Sequence, residues 1–340
     1  MSKGWFKVDG VVLGLALTFL IQLSGLFQWC IRLSAEVVNA FVSVERVTEY
    51  SALPSEPPLV LESDDSDTIK GWPHHGRIDV ENLSVRYRST LPLSLKDVSF
   101  TIESGHRVGV VGRTGSGKST LVQTLLRILE AENGKISIDG IDIASVGLHK
   151  LRREISVINQ VPTLFSGCSV RENLDPFGEY TDEEVRLALT DVQMIETINE
   201  LDMGIHSMVS EGGSNFSVGQ RQLLCLARAI LRKNKILILD EPTANVDVRT
   251  DKLLQEAVSK SFCGATIVSV AHRLDTIIDY DMILVLGDGR ILEYGNPNHL
   301  LSNLSGAFSS LVDDTGTEMA QELRRRAREA WETKFGTTQI

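Results

Sequence analysis

The sequence is short of the residues that staple or chelate. Its four cysteines, Cys30, Cys168, Cys225 and Cys263, stand singly. With no C-x-x-C pair and no metal-ligand spacing, they argue against a disulfide framework and a cysteine zinc site, and for a reducing, cytosolic setting of the globular part. Basic charge is also scarce: 34 Lys and Arg against 45 Asp and Glu leave a net charge of −11. A polyanion needs a basic stripe, so nucleic acid is excluded as the main partner. No internal repeat is visible. The histidines at 74, 75, 106, 149, 206 and 299 lack ligand-like spacing and are expected at the surface or in loops. The sequons at Asn82, Asn215 and Asn303 fall in the expected cytosolic part and should stay unglycosylated. Charged residues at 23% and apolar residues at 42% nevertheless describe a folded chain, long enough to bury a core without staples.

What the sequence does have begins with a run from Gly10 to Ile31 that carries no charge. As a helix it extends ~33 Å at 1.5 Å per residue, enough for a bilayer core of ~30 Å. Trp5 and Trp29 lie near its ends, where amphipathic rings favour the interface. A signal peptide would be shorter and closed by a small-residue cleavage site, and a buried core helix is rarely apolar all round for so long, so a membrane-spanning helix is the reading. Lys3 and Lys7 before it balance Arg32 and Arg46 after it, so charge alone does not orient it. Val37, Val38, Phe41, Val44 and Val47 then recur at helical spacing among acids and arginine, which carries the helix to about Tyr50. Pro54, Pro57 and Pro58 end it. Residues 51–75 read as a linker, in which the acidic DDSD at 64–67 lacks the glycine and final glutamate of a calcium loop and is expected to be solvated.

Beyond 76 the pattern alternates at Ile78, Val80, Leu83, Val85 and Tyr87. Short apolar segments follow at 98–102, 107–111, 136–138, 155–158, 236–239 and 266–270, interleaved with helical patterns, which predicts an α/β domain with a largely parallel sheet. Met282–Leu286, the turn GDG and Arg290–Tyr294 read as a hairpin. An Arg- and Glu-rich helix after Gly316 reads as solvated or docked, with a membrane-surface role for its arginines as the alternative. The expected domains are 1–50 (spanning helix and extension), 51–75 (linker), 76–312 (globular domain) and 313–340 (helical tail).

The chemistry starts at residues 112–120. The strand HRVGVV runs into GRTGSGKST and then into a helix with Leu121, Leu125 and Leu129 on one face, which is G-x-x-x-x-G-K-[ST] in its strand–loop–helix setting. Gly112, Gly115 and Gly117 let the backbone around Thr114 and Ser116 curl, so that successive N–H groups point at phosphate. The helix that begins at Lys118, Ser119 and Thr120 adds its positive end. Lys118 brings charge to the β- and γ-phosphates, and Ser119 offers a hydroxyl to Mg2+. KILILDE supplies the second half: a buried strand whose carboxylates, Asp240 and Glu241, emerge at its C-terminal end, where open α/β sheets bind ligands. Asp240 is placed to hold Mg2+ through water, and Glu241 to polarise the attacking water.

Between these halves lies NFSVGQRQLLCLARAIL. Its Phe216-Ser217-Val218-Gly219-Gln220 resembles the LSGGQ signature of ABC ATPases. Further motifs stand in the family's order: Tyr87 in VRYR, Gln160 in VINQ, Asp247 in ANVD and His272 in VSVAHRLDTI. ENLDPF at 172–177, SVERVTEY at 43–50 and the signature segment resemble the second half of subfamily C, the multidrug-resistance-associated transporters. Gly10–Tyr50 then resembles the last transmembrane helix, and the similarity runs to about Asp314. Phe216 departs from the usual leucine, and Pro242 from the alanine frequent in this subfamily.

The resemblance implies a P-loop NTPase with a RecA-like core, an antiparallel β subdomain and an α-helical signature subdomain, preceded by one transmembrane helix. It implies ATP and Mg2+ as ligands, with Tyr87 under adenine, Gln160 sensing metal and γ-phosphate, and His272 on the γ-phosphate. It implies a partner nucleotide-binding domain, because Ser217, Gly219, Gln220 and Asp247 serve ATP held by the partner's P-loop. The valine at 218 implies an asymmetric pair with one slow site. It also implies further membrane helices, an integral membrane location with the ATP site cytosolic, and export of amphipathic organic anions or conjugates. A soluble ABC ATPase of DNA repair or translation is disfavoured by the apolar run and the acidic charge; a non-transporting fragment or regulatory subunit is the standing alternative. The identity of the membrane is not legible.

An alkaline carbonate wash separates these readings. The chain is expected to stay in the membrane pellet, and deletion of 10–31 to release it; a full chain that washes off would contradict the spanning reading.

Overall fold

The computed structural model describes residues 9–66, 69–241, 247–271 and 273–335. Lys3, Trp5, Lys7, Pro242 and His272, all used above, lie outside the described residues. Two compact units meet between Pro57 and Pro58.

The first unit is a single helix, α1 (Gly10–Ser51). It has no buried residue, and it is the one helix among the described residues long and apolar enough to cross a membrane. Such a helix satisfies its own backbone groups, which is what a lipid environment requires. Four of its hydroxyls are satisfied in the same way: Thr18, Ser34, Thr48 and Ser51 each donate to the carbonyl four residues back. The helix ends at Ser51, where the Ala52 N–H closes the last turn on Thr48 and Glu49 and Pro54 follows.

The second unit holds two sheets. Its strands are β1 (Ile78–Val85), β2 (Leu95–Ile102), β3 (Arg107–Val111), β4 (Asn133–Ile138), β5 (Ile141–Asp142), β6 (Ile155–Ile158), β7 (Ile236–Asp240), β8 (Thr266–Val270), β9 (Met282–Gly287) and β10 (Arg290–Gly295). The first sheet is antiparallel, in the order β2-β1-β4-β5; the second runs β10-β9-β3-β8-β7-β6. In the second sheet β3, β6, β7, β8 and β9 are parallel, and only β10 is antiparallel to its neighbour. Covered on both faces, β8 (TIVSV) is buried at every position, which explains why its sequence does not alternate between apolar and charged residues. The β9–β10 turn places Asp288 (φ 49°) and Gly289 (φ 78°) in the left-handed region, as a two-residue hairpin demands.

Helix α2 (Lys118–Leu125) follows β3, and α3 (Leu148–Glu154) precedes β6. A helical subdomain is inserted between β6 and β7: α4 (Val170–Leu174), α5 (Asp182–Asp191), α6 (Ile195–Asn199) and α7 (Val218–Arg232). Helix α8 (Val248–Ser261) lies between β7 and β8. The C-terminal helices are α9 (Pro297–Ser302), α10 (Ala307–Asp313) and α11 (Thr317–Phe335). Phe216, the residue that departs from leucine, is buried in the core of the helical subdomain, where its larger ring fills apolar space.

Two expectations are corrected. Helix α2 stops at Leu125, before Leu129, because Arg127 turns left-handed (φ 49°) and its buried guanidinium donates to the carbonyls of Ile143 (3.0 Å) and Val146 (2.9 Å). The stretch 51–75 is not a solvated linker throughout. From Pro58 on it packs on the globular domain: the N–H of His149 donates to Leu59 O (2.9 Å), Trp72 is buried with its indole N–H on Ile138 O (2.8 Å), and the Asp64 carboxylate accepts from Leu61 N (2.8 Å) and Gly147 N (2.9 Å). The tail follows α10, which ends at Asp313. Helix α11 docks by Ala320, Leu323 and Ala327. Two of its four arginines hold the domain: Arg324 donates to Leu301 O (2.9 Å) and Ser309 Oγ (2.6 Å), and Arg326 pairs with Asp279, while Arg325 and Arg328 pair with glutamates of α11 itself.

Asp64→Ala removes the acceptor of two backbone N–H groups. It is expected to cost about 1–3 kcal/mol in thermal unfolding and to expose 58–64 to proteolysis; an unchanged cleavage pattern would refute the packed segment.

Candidate nucleotide-binding site

Strand β3 lies between β9 and β8 and is buried from Val108 to Val111, so its chain leaves the sheet at the carboxyl edge where α/β sheets bind ligands. There it enters the loop 112–117. A Cβ on Gly112 would sit 2.2 Å from the Leu286 carbonyl oxygen and 2.6 Å from Ser116 Oγ; only glycine lets the loop pass beneath the end of β9. Gly117 (φ 107°) then opens α2 without a side-chain cap, which leaves the N–H groups of that first turn available to an acceptor.

The loop walls a cavity of about 700 Å³, lined by Thr114, Gly115, Gly117, Lys118, Ser119 and Thr120, with Tyr87 and Glu241 on other walls. The Lys118 ammonium is buried and donates to Gly112 O (2.8 Å) and Arg113 O (3.2 Å). Burial pushes its pKa down, while the carboxylates of Glu241 and Asp240 pull it back up. One cation thus lies in the field of both acids at the end of β7. Glu241 adopts φ 48° and donates its N–H to Val270 O (3.1 Å). The chain thus leaves β7 through a left-handed, non-glycine residue, which is an uncommon conformation. The Tyr87 ring is 46% exposed, yet its hydroxyl pairs with Thr120 Oγ1 at 3.2 Å, so an aromatic face is fixed at the mouth of the cavity.

These groups fit a nucleoside triphosphate. Backbone N–H groups and a helix start suit phosphate oxygens, and a fixed aromatic face suits a base. A magnesium ion bound chiefly through phosphate needs only one or two protein ligands, and the Ser119 hydroxyl and Asp240 carboxylate are hard oxygen donors of that kind.

The cavity does not gather every residue named from the sequence. Gly112 and Ser116 belong to the loop but line a second cavity of about 340 Å³ on its other side. Gln160 follows β6 and is exposed, outside the residues lining either cavity. Ser217, Gly219 and Gln220 open α7: Ser217 Oγ accepts from Gln220 N (3.1 Å), and the Gln220 side chain accepts from Ser217 N (2.9 Å). Asp247 caps α8 through Thr250 N (3.1 Å), and its carboxyl is held below the usual range, first by the Thr250 hydroxyl. None of these four lines the cavity around Lys118. His272 lies outside the described residues. Pro92, Leu93, Ser94, Lys96, Asp288 and Gly289 complete the lining. Only the Asp288-Gly289 turn had a sequence signal; the others are brought in by the pairing of β2 with its neighbours.

Residues 95–244 match the family model described as ABC transporter. They are an ABC transporter domain. The chain is 48% identical over 324 residues to human "ATP-binding cassette sub-family C member 4", an alignment that covers 95% of this chain and 24% of that protein. It is 45% identical over 305 residues to "ABC transporter C family member 3" of Arabidopsis thaliana, covering 90% of this chain and 20% of that one. It therefore spans about a quarter of these relatives' length or less. Among solved structures it resembles "Structure of a bacterial Atm1-family ABC exporter with ATP bound", with a TM-score of 0.67 and 29% identity over 78% of this chain and 44% of that one. The ABC domain accounts for the two sheets and the inserted helical subdomain as a P-loop NTPase fold.

Gly112→Ala drives a methyl into the Leu286 carbonyl. ATP binding, read with a fluorescent nucleotide, is expected to weaken about tenfold or more, ~1.4 kcal/mol, with circular dichroism unchanged; parent-like affinity would show that the loop shape is not required.

Proposed function

We propose that this chain binds Mg-ATP in the cavity around Lys118 and hydrolyses it to power export across a membrane. One observation carries the reading: a buried ammonium sits on the carbonyls of its own glycine loop while Glu241 and Asp240 face it. Phosphate oxygens are stronger partners for that ammonium than neutral carbonyls, so Lys118 turns to them when nucleotide arrives. The loop N–H groups hold the phosphates, and Tyr87 stacks on adenine for ~1–3 kcal/mol. Ser119 and Asp240 would hold a magnesium ion, which when bound would supply charge neutralisation at the phosphate oxygens. Glu241 orients and deprotonates the attacking water, His272 contacts the γ-phosphate, and Gln160 reports the state of the site toward the membrane helices.

Ser217, Gly219, Gln220 and Asp247 do not line this cavity; they complete a second site, on the P-loop of a partner nucleotide-binding domain. A helix start capped through Ser217 is suited to a γ-phosphate. One spanning helix makes no pathway, so further membrane helices are required, and α1 resembles the last of them. The sub-family C relatives favour an exporter of amphipathic organic anions or conjugates, with the ABC domain on the cytosolic side.

Glu241→Gln is expected to slow hydrolysis by ~10²–10⁴-fold in the assembled transporter while ATP still binds. Lys118→Ala is expected to lose binding itself. Hydrolysis by the Gln variant at the parent rate would remove Glu241 from this role.

A further inference from the structure

Asp251 is a buried acid that the reading above does not use. It sits in the first turn of α8, only 7% exposed, and one carboxylate oxygen, Oδ1, has no hydrogen-bond partner among the described residues. The other accepts from Arg273 Nη1 at 3.2 Å. Burial pushes the Asp251 carboxyl up, while first the Arg273 charge and then the Gln255 side chain one turn on pull it back toward ionisation. A buried carboxylate with half its acceptor capacity unused is costly, and breaking its one ion pair would leave an uncompensated charge.

The partner is informative. Arg273 is the residue that follows His272 in the chain. Its second guanidinium nitrogen donates to Asp275 (2.8 Å), and its carbonyl accepts from Thr276 Oγ1 (2.8 Å), so both its side chain and its backbone are fixed. The same α8 turn has another contact. Thr250, adjacent to Asp251 and bonded through its hydroxyl to Asp247 (2.8 Å), lies 3.0 Å from where a Cβ on Gly219 would stand. A single helical turn therefore touches the start of the signature helix α7 and, through Asp251, the residue after His272.

We infer that Asp251 and Arg273 form a positioning pair for hydrolysis: the buried carboxylate holds the backbone beside His272 against the α8 turn that packs on Gly219. The inference rests on the proposed ATPase reading. It gives the α8 turn a part in both composite sites, since Gly219 serves the partner's nucleotide and His272 this chain's own. Neither Asp251 nor Arg273 lines the cavity around Lys118, so the pair acts on turnover and not on affinity.

The test uses the full chain carrying Asp251→Asn, which keeps the shape and removes the charge, with Arg273→Gln and Arg273→Lys. Hydrogen exchange without nucleotide comes first. Asp251→Asn and Arg273→Gln are expected to speed exchange over 273–277 by about tenfold or more, with β3 and β7 unchanged. Parent-like exchange overturns the pair whatever ATP does. ATP affinity is expected to stay within about twofold of parent. In the assembled transporter, turnover at saturating ATP is expected to fall about tenfold or more, with Arg273→Lys retaining more than Arg273→Gln and the Asn–Gln double variant no slower than either single one, as for residues acting as a unit. Additive losses, or a fall in affinity and melting temperature with unchanged maximal turnover, would mark a merely structural contact and overturn the inference. Absence of ATP binding in the parent would instead sink the function proposed above.

Discussion

A buried ammonium resting on two carbonyls of its own loop is the constraint around which the globular unit is organised. Lys118 cannot reach Gly112 O and Arg113 O unless the chain reverses tightly between β3 and α2. That reversal needs a residue without a side chain beneath the β9 carbonyl of Leu286, and it needs β3 held centrally between β9 and β8. The carboxylates that keep the ammonium charged come from the end of β7, two strands away. Loop, sheet order and acid placement are thus one arrangement, and removing any part leaves a buried charge poorly partnered.

The rest of the unit supports that centre. Arg127 ends α2 by turning its guanidinium onto carbonyls near α3, while Arg152 of α3 donates to Leu126 O (3.1 Å) and Arg127 O (3.0 Å). The phosphate-loop helix is therefore stopped and held at its far end by two arginines. On the opposite side α11 reaches β9, where Lys334 pairs with Asp281 (2.8 Å), and Asp281 also accepts the Arg107 N–H at the start of β3 (2.8 Å). That contact, with burial and the lysine acting in opposite senses, leaves the Asp281 carboxyl below the usual range. The strand that delivers the glycine loop is anchored at its beginning by the last described helix of the chain.

Much of this was legible in the sequence because it is periodic or short-range. The strands at 107–111, 155–158 and 266–270 were read at their observed limits, since a largely buried parallel strand is a short, mostly apolar run rich in Val and Ile. The glycine loop and the acids after β7 follow fixed spacings. What escaped depends on long-range pairing. Asp64 looked like solvated acid because its partner, the Gly147 N–H, lies 83 residues away. Helix α2 seemed longer because nothing local shows that Arg127 will turn left-handed to satisfy carbonyls in another segment. Lys96 and Ser94 reach the cavity wall only through the position of β2, and no periodicity announces the pairing of Asp251 with Arg273.

The most direct measurement is a structure of the chain with Mg-ATP, read at Lys118 Nζ. The account predicts that the ammonium leaves Gly112 O and Arg113 O for β- and γ-phosphate oxygens, with adenine on the Tyr87 ring. Nucleotide located elsewhere, or an ammonium still resting on the loop carbonyls beside bound ATP, would contradict it.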